Sequence, residues 1–350
     1  MQKKVFITGA TGLVGSTLCR KFLQQGYQVL ALCRPTSSMK LVETFRNQVQ
    51  WYEGDLLNRN SLRTPIKQAD YVIHAGAMIS YAPESGAQMR QVNIQGTENV
   101  VDLSLEYGCK KFCFIGSTAG LGKPQTNQVI DETIDSERAY KNTLYAHTKF
   151  EAEKRVWIAS RKGLNVIIVN PPIILGTGDW SQSSLRLIDY VWRKRWFYPS
   201  GIINLVDIRD LADMVYQLSE SPLKNERYIV SATYMTYQDF FREVANRLMV
   251  PPPSLRLSWL VAEILWRFSS LWSRLTGSPS LITREAVYSA SSQFRYSNDK
   301  IREALNINFR PIEETLDWVC AAFLTDKGVT SPVGPYFFPS MKKVGKKISR

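Results

Sequence analysis

A short β-rich run, KVFIT (4–8), leads directly into TGATGLVG, which sets Gly9, Gly12 and Gly15 ahead of a helical stretch, LVGSTLCRKFLQQG (13–26). Glycines at this spacing between a strand and a helix mark a tight turn where the backbone comes close to something else. The pattern is not G-x-G-x-x-G. Its physical demands are similar: a sharp turn, close approach to a pyrophosphate, and close packing of helix on strand. The helix amino terminus then offers free N–H groups and a positive dipole end to an anion. An ordinary glycine turn is the plainer alternative, and the strand before and helix after are the context that separates the two. Gly9, Thr11, Gly12, Leu13, Val14 and Gly15 are the candidate ligand residues of this loop.

The same alternation continues. YQVLALCR (27–34), VQWYEGDL (49–56), ADYVIHAG (69–76), KKFCFIGS (110–117) and LNVIIVNPP (164–172) read as strands, with helical patterns between most of them, notably 86–107 and 144–162. Strands alternating with helices predict an α/β fold, a doubly wound parallel sheet of Rossmann type, with its ligand at the carboxyl ends of the strands. After about residue 175 helical patterns dominate. Brief strands are expected near 203–206 and 227–230, with a helix over 208–219. The expected division is a dinucleotide-binding domain over 1–175, returning in part near 203–230, and a smaller, mostly helical substrate region over 176–325. A Gly-, Pro- and Lys-rich tail over 326–350 is expected to be poorly ordered.

With 44% hydrophobic and 21% charged residues among 350, the chain can bury a substantial core. Five scattered cysteines show no metal spacing, and only His74 and His147 are available as imidazole ligands, so no metal site is expected. The thiols fit a reducing, cytoplasmic compartment. The opening apolar run is too short for a signal peptide, and no 18-residue apolar stretch is present. The net charge of +13 includes five cations in the closing MKKVGKKISR. No nucleic-acid module accompanies them, so nucleic acid is not an expected partner. A solvated tail or an anionic membrane surface remains. LRLSWLVAEILWRFSSLWSRL (255–275) adds four large aromatics and few charges. It reads as core packing, as an interfacial helix, or as a lid over a lipophilic substrate.

The end of the second strand selects between cofactors. A ribose 2'-hydroxyl calls for an acid there, and a 2'-phosphate for a cation. The sequence reads ALCRPTSS, with Arg34 and no acid, which favours NADP(H), with NAD(H) second.

TGATGLVG, GDL (54–56), HAGA (74–77), NIQGTENVV (93–101), FIGSTAG (114–120), YAHTK (145–149), NPPIILGTGDW (170–180) and VDIRDLADMV (206–215) occur in that order. Together they resemble an extended short-chain dehydrogenase/reductase, most closely the branch of dihydroflavonol-reductase-like and 3β-hydroxysteroid-dehydrogenase-like proteins, over about residues 3–325. Tyr145 and Lys149, at i and i+4, share a helix face. The resemblance implies that Tyr145 exchanges a proton with the substrate oxygen, that Lys149 favours the phenolate and holds the nicotinamide ribose, and that Ser117, with Thr118 as its alternative, hydrogen-bonds the substrate oxygen. It also implies that Asp55 and Leu56 flank the adenine, that the cofactor lies over Ala75, Gly76 and Ala77, and that Pro171 and Ile174 approach the nicotinamide. Asn93 could hydrogen-bond around the site but reads first as a helix-capping or structural residue, His74 as a strand-end packing residue and His147 as a neighbour on the catalytic helix. The function implied is an NADP(H)-dependent oxidoreductase acting on a small or medium apolar alcohol or ketone, with a homodimer left open. An NAD-dependent nucleotide-sugar epimerase or dehydratase and a non-catalytic cofactor-binding scaffold are the alternatives. GSTAGLG lacks the acidic pair that dehydratases tend to carry beside this serine.

Overall fold

The computed structural model of the chain describes residues 2–80, 83–123, 129–137, 143–257, 291 and 293–329. The central sheet has seven strands: β1 (Lys4–Thr8), β2 (Gln28–Cys33), β3 (Gln50–Glu53), β4 (Tyr71–His74), β5 (Lys111–Ile115), β6 (Val166–Asn170) and β7 (Glu226–Ile229). Their order is β7-β6-β5-β4-β1-β2-β3, and every neighbouring pair is parallel. The doubly wound fold expected from the alternation is therefore observed. Chain order reverses on either side of β1, so a crevice opens beyond Thr8 and His74, which sit side by side in register.

The inner strands are continuous apolar runs because both faces are covered. Successive side chains of β1 divide between layers: Val5 and Ile7 join one core, Phe6 the other. The first layer is α1 (Leu13–Gln24) with Ile208–Glu220, which contribute Leu18, Phe22, Leu211 and Val215. The second is α2 (Arg59–Gln68), α3 (Gly96–Glu106) and α4 (Leu144–Arg161), which contribute Leu62, Ile66, Val100, Leu103 and Val156. The stretch read as one helix over 86–107 runs as Gly86–Arg90, a single wide π turn at Gln91–Gln95, and then α3.

The strand expected near 203–206 spans Ile202–Asp207 and joins a second, three-stranded sheet. It lies parallel to Ile173–Leu175 and antiparallel to Thr233–Thr236. The strand expected near 227–230 is β7, at the edge of the main sheet. A further core forms around Leu205, Phe240, Val244, Leu316 and Phe323, from the helices Tyr237–Leu248 and Ile312–Asp326.

All five cysteines are buried and free. Among the described residues no group of side chains is placed to hold a metal ion, and no helix is long and apolar enough to cross a membrane. Residues 258–275 of the Trp-rich stretch and 330–350 of the basic tail lie outside the described residues.

Candidate functional site

The glycine loop is built on backbone contacts that no side chain would permit. Gly9 has φ +66, and a Cβ there would lie 2.7 Å from the Gly76 Cα. A Cβ on Gly15 would lie 2.1 Å from the Gly9 carbonyl oxygen. The Gly12 N–H donates to that same oxygen at 3.0 Å and closes the turn. α1 then starts at Leu13 with no side-chain cap and no acid in its first turn. Its first N–H groups and dipole end thus remain for an external anion, and the cradle suits a pyrophosphate. Thr11, Leu13 and Val14 are half-buried beside it.

The other predicted cofactor residues follow the carboxyl ends of the neighbouring strands. Arg34 is exposed just past β2, in a turn where its N–H donates to Ser37 Oγ at 3.1 Å. Past β3, Asp55 accepts the Leu57 N–H at 2.9 Å. Leu56 is held by Asn99, which donates to its carbonyl at 2.8 Å. Its side chain fills the space beside Gly76 and Gly96. Ala75 and Gly76 are half-buried and Ala77 exposed. Pro171 and Ile174 lie where the chain leaves β6, and Gly176 and Gly178 bring that segment back against the Leu13 side chain.

α4 and the end of β5 set the Ser117 segment against the Lys149 turn, and Tyr145 lies one turn before Lys149 on the same helix. Thr143 caps α4, accepting the Ala146 N–H at 3.0 Å, which puts half-buried Tyr145 in the first turn. Lys149 is buried one turn later. Its ammonium donates to the Ile115 carbonyl at 2.8 Å and lies 4.6 Å from the Phe114 ring centroid. Burial pushes its pKa down to about 8, and Glu153 works against that shift. Ser117 caps the short helix Thr118–Leu121, its Oγ accepting the Ala119 N–H at 3.2 Å. That helix packs on the Lys149 turn: a Cβ on Gly120 would lie 3.2 Å from the Phe150 nitrogen. A phenol, a nearby buried cation and a hydroxyl can together move a proton to or from a substrate oxygen and stabilise charge on it.

His74 does more than pack. The Gly76 N–H donates to Thr8 Oγ1 (3.2 Å), and Thr8 meets His74 Nδ1 (2.6 Å). His74 Nε2 meets Thr97 Oγ1 (3.0 Å), which donates to the Asn93 carbonyl (2.6 Å). Because Thr97 spends its proton on Asn93, His74 must donate through Nε2 and accept through Nδ1. Burial, aided by the Lys149 charge, pushes the imidazole down to about 3, so it stays neutral. Asn93, inside the π turn, caps no helix. Its amide accepts from the Met78 N–H (2.7 Å) and donates to the Met78 carbonyl (2.9 Å) and to Thr148 Oγ1 (2.9 Å). One network thus joins Gly76, at the end of β4, to Thr148 on α4. His147 is exposed. Sequence reasoning missed Thr8, Thr97, Thr148, Glu153 and Asn170. The available signals were that Glu153 extends the Tyr145–Lys149 face by another turn and that Asn170 opens the NPP motif.

The family model for the NAD dependent epimerase/dehydratase family matches residues 5–230. Cinnamoyl-CoA reductase 1 of Petunia hybrida is 26% identical over 329 residues, covering 89% of both chains. UDP-glucose 4-epimerase of Vibrio cholerae is 25% identical over 333 residues, covering 91% of both. The crystal structure of gox2253 superposes with a TM-score of 0.79 at 25% identity, covering 94% of this chain and 100% of that one. With its glycine cradle and parallel sheet inside the matched region, the chain belongs to the NAD-dependent epimerase/dehydratase family and is an NAD(P)-dependent enzyme of the extended short-chain dehydrogenase/reductase fold.

Proposed function

We propose that the chain is an NADP(H)-dependent oxidoreductase interconverting an alcohol and a ketone on a small or medium apolar substrate. The observation that carries this reading is the seating of the Ser117 segment directly on the α4 turn that holds buried Lys149. The cofactor, when bound, supplies or accepts the hydride. In the reducing direction Tyr145 gives its phenolic proton to the substrate oxygen, and Lys149 stabilises the phenolate left behind. Ser117 already accepts from Ala119, so its own proton is the one offered to that oxygen. Ile79, 51% exposed just beyond the cofactor floor, favours an apolar substrate, and we assign substrate contacts chiefly to residues 176–325. Aryl and alicyclic ketones and aldehydes incubated with NADPH should show stoichiometric cofactor oxidation with at least one member. Epimerisation of a nucleotide sugar with no net cofactor oxidation would replace this reading with its main rival, which the Vibrio cholerae relative represents.

Arg34 and the absence of an acid after β2 support the reading of NADPH as the preferred cofactor. Calorimetry should find NADPH bound more tightly than NADH. Arg34→Ala should weaken NADPH about tenfold, equivalent to about 1.4 kcal/mol, and leave NADH nearly unchanged. An unaltered preference in the variant would assign Arg34 to solvent.

A peripheral contact with an anionic lipid surface is also proposed. Trp196 is 71% exposed at the end of the Arg193–Lys194–Arg195 turn, next to exposed Leu255 and Arg256, whose strand pairs with Phe197–Tyr198. Cations near such a surface contribute about 1 kcal/mol each, and the attraction is screened by salt. The protein should co-sediment with phosphatidylserine vesicles at low salt, and less so without residues 326–350 or with Trp196→Ser. Full-length protein that stays in the supernatant with these vesicles would end the proposal.

A further inference from the structure

Glu153 lies one turn beyond Lys149 on α4, with a side chain only 7% exposed. Its carboxylate accepts from Arg227 Nη1 (3.1 Å), Trp157 Nε1 (3.2 Å) and Asn170 Nδ2 (3.1 Å). The last contact orients a fully buried amide. With Nδ2 given to an oxygen that can only accept, Asn170 Oδ1 must face the other way, where it receives the Ser117 N–H at 2.8 Å. Reversing the amide would oppose carbonyl to carboxylate and NH2 to N–H.

The fit around Asn170 leaves no slack. A Cβ on Gly116 would lie 1.8 Å from Asn170 Oδ1, so only glycine can precede Ser117 here. On either side, the Gly116 N–H donates to the Val169 carbonyl (2.7 Å) and the Thr118 N–H to the Pro171 carbonyl (3.1 Å). The Ser117 loop thus hangs from the end of β6, with Asn170 as its middle support. Arg227 supplies the cation that makes a buried carboxylate tolerable, and it also reaches Ser136 Oγ at 3.1 Å on the segment leading toward α4.

We propose that Glu153 is a positioning residue of this site: through Asn170 it fixes where the Ser117 hydroxyl stands, and its charge supports the Lys149 ammonium. The proposal rests on the reading of Ser117, Tyr145 and Lys149 as the reacting set. Among the described residues, neutral His74 on β4 and, on β5, the Phe114 ring and the Ile115 carbonyl face Lys149 from other elements. Glu153 itself faces Arg227, which also donates to the Glu132 backbone carbonyl and interacts electrostatically with Asp131. Glu153 is the group that opposes the effect of burial on Lys149. Neutralising it should let the ammonium deprotonate at lower pH.

Glu153→Gln and Asn170→Ala are the test variants, with thermal melting as the check on folding. The crystal structure of Asn170→Ala should show Ser117 Oγ displaced by about 0.5 Å or more, a misplacement that disables preorganised sites. Its kcat for NADPH-dependent reduction of a carbonyl from the panel should fall about tenfold, with NADPH affinity and the alkaline limb of the pH profile unmoved. Glu153→Gln should shift the Lys149 Cε NMR titration, and that alkaline limb, down by about half a unit or more. Ser117 unmoved in the first variant together with an unmoved Lys149 titration in the second would overturn the proposal, whatever their melting temperatures. Both readouts stand without turnover, so they separate this proposal from the assignment of the reacting set, which Tyr145→Phe tests. Asn170→Ala keeps the ion pair intact. Glu153→Gln combined with Arg227→Gln removes the orphaned cation should the single charge change unfold the protein.

Discussion

Tyr145→Phe is expected to lower kcat by about 10² or more while leaving the fold and NADPH affinity near native. The substitution keeps the ring and removes only the hydroxyl. Tyr145 is half-buried in the first turn of α4, so its ring packing survives. Lys149 retains its bond to the Ile115 carbonyl, and Ser117 retains its cap. What disappears is the proton that must reach the substrate oxygen. Steady-state kinetics with a reducible ketone, alongside calorimetry with NADPH, separate the two effects. Combining Tyr145→Phe with Lys149→Met should cost little more in kcat than the first change alone, since on proton transfer the lysine acts through the phenol, while weaker NADPH binding in the double variant would report its hold on the ribose. Near-native turnover by Tyr145→Phe would remove Tyr145 from the mechanism.

The parts of the fold that are local in sequence were legible before the structure. Strand β1, the glycine turn and α1 occupy consecutive residues, and hydrophobic runs separated by helical periods announce a parallel sheet. The spacing of Tyr145 and Lys149 is visible for the same reason. What escaped depends on contacts between distant segments. Glu153 resembles any surface glutamate until Arg227, 74 residues later, and Asn170 come to meet it. His74 looked like packing because nothing in VIHAG shows that Thr8 and Thr97 bracket its ring. The polar strand Thr233–Thr236 lacks an apolar pattern of its own and takes its conformation from pairing with Ile202–Asp207. The wide turn at Gln91–Gln95 has no glycine or proline to announce it, yet it is what carries Asn93 to Met78.

Gly15→Ala carries the second large expected effect. A methyl group there would sit 2.1 Å from the Gly9 carbonyl oxygen, 2.6 Å from its carbon and 2.8 Å from the Ala10 Cα. All three are backbone atoms, so no rotamer relieves the clash. The turn must open or α1 must back away from β1, and either movement withdraws the helix amino terminus from the pyrophosphate. NADPH affinity should fall by about two orders of magnitude, or about 2.8 kcal/mol. The melting temperature should also drop, as overpacking destabilises typically by about 1–3 kcal/mol. Fluorescence titration with NADPH and thermal melting measure the two effects. Gly12→Ala is the control for the melting effect, because within the protein a Cβ there would meet only the Gly9 carbonyl oxygen, at an ordinary 3.4 Å. Equal drops in melting temperature would mean that crowding inside the loop is not what excludes the methyl group at Gly15.

The late arrival of β7 imposes an order on biosynthesis. Six strands of the main sheet, the glycine cradle and α4 are all encoded before residue 171. Arg227 emerges 74 residues after Glu153, a delay on the order of ten seconds at ribosomal speed. Throughout that interval the carboxylate at the centre of α4 waits for its cation, and α1 waits for the helix Ile208–Glu220 that packs beside it. The ion pair behind α4 is therefore completed only when the edge strand is laid down. A polypeptide released early would carry the Ser117 and Lys149 segments with Glu153 lacking its cation.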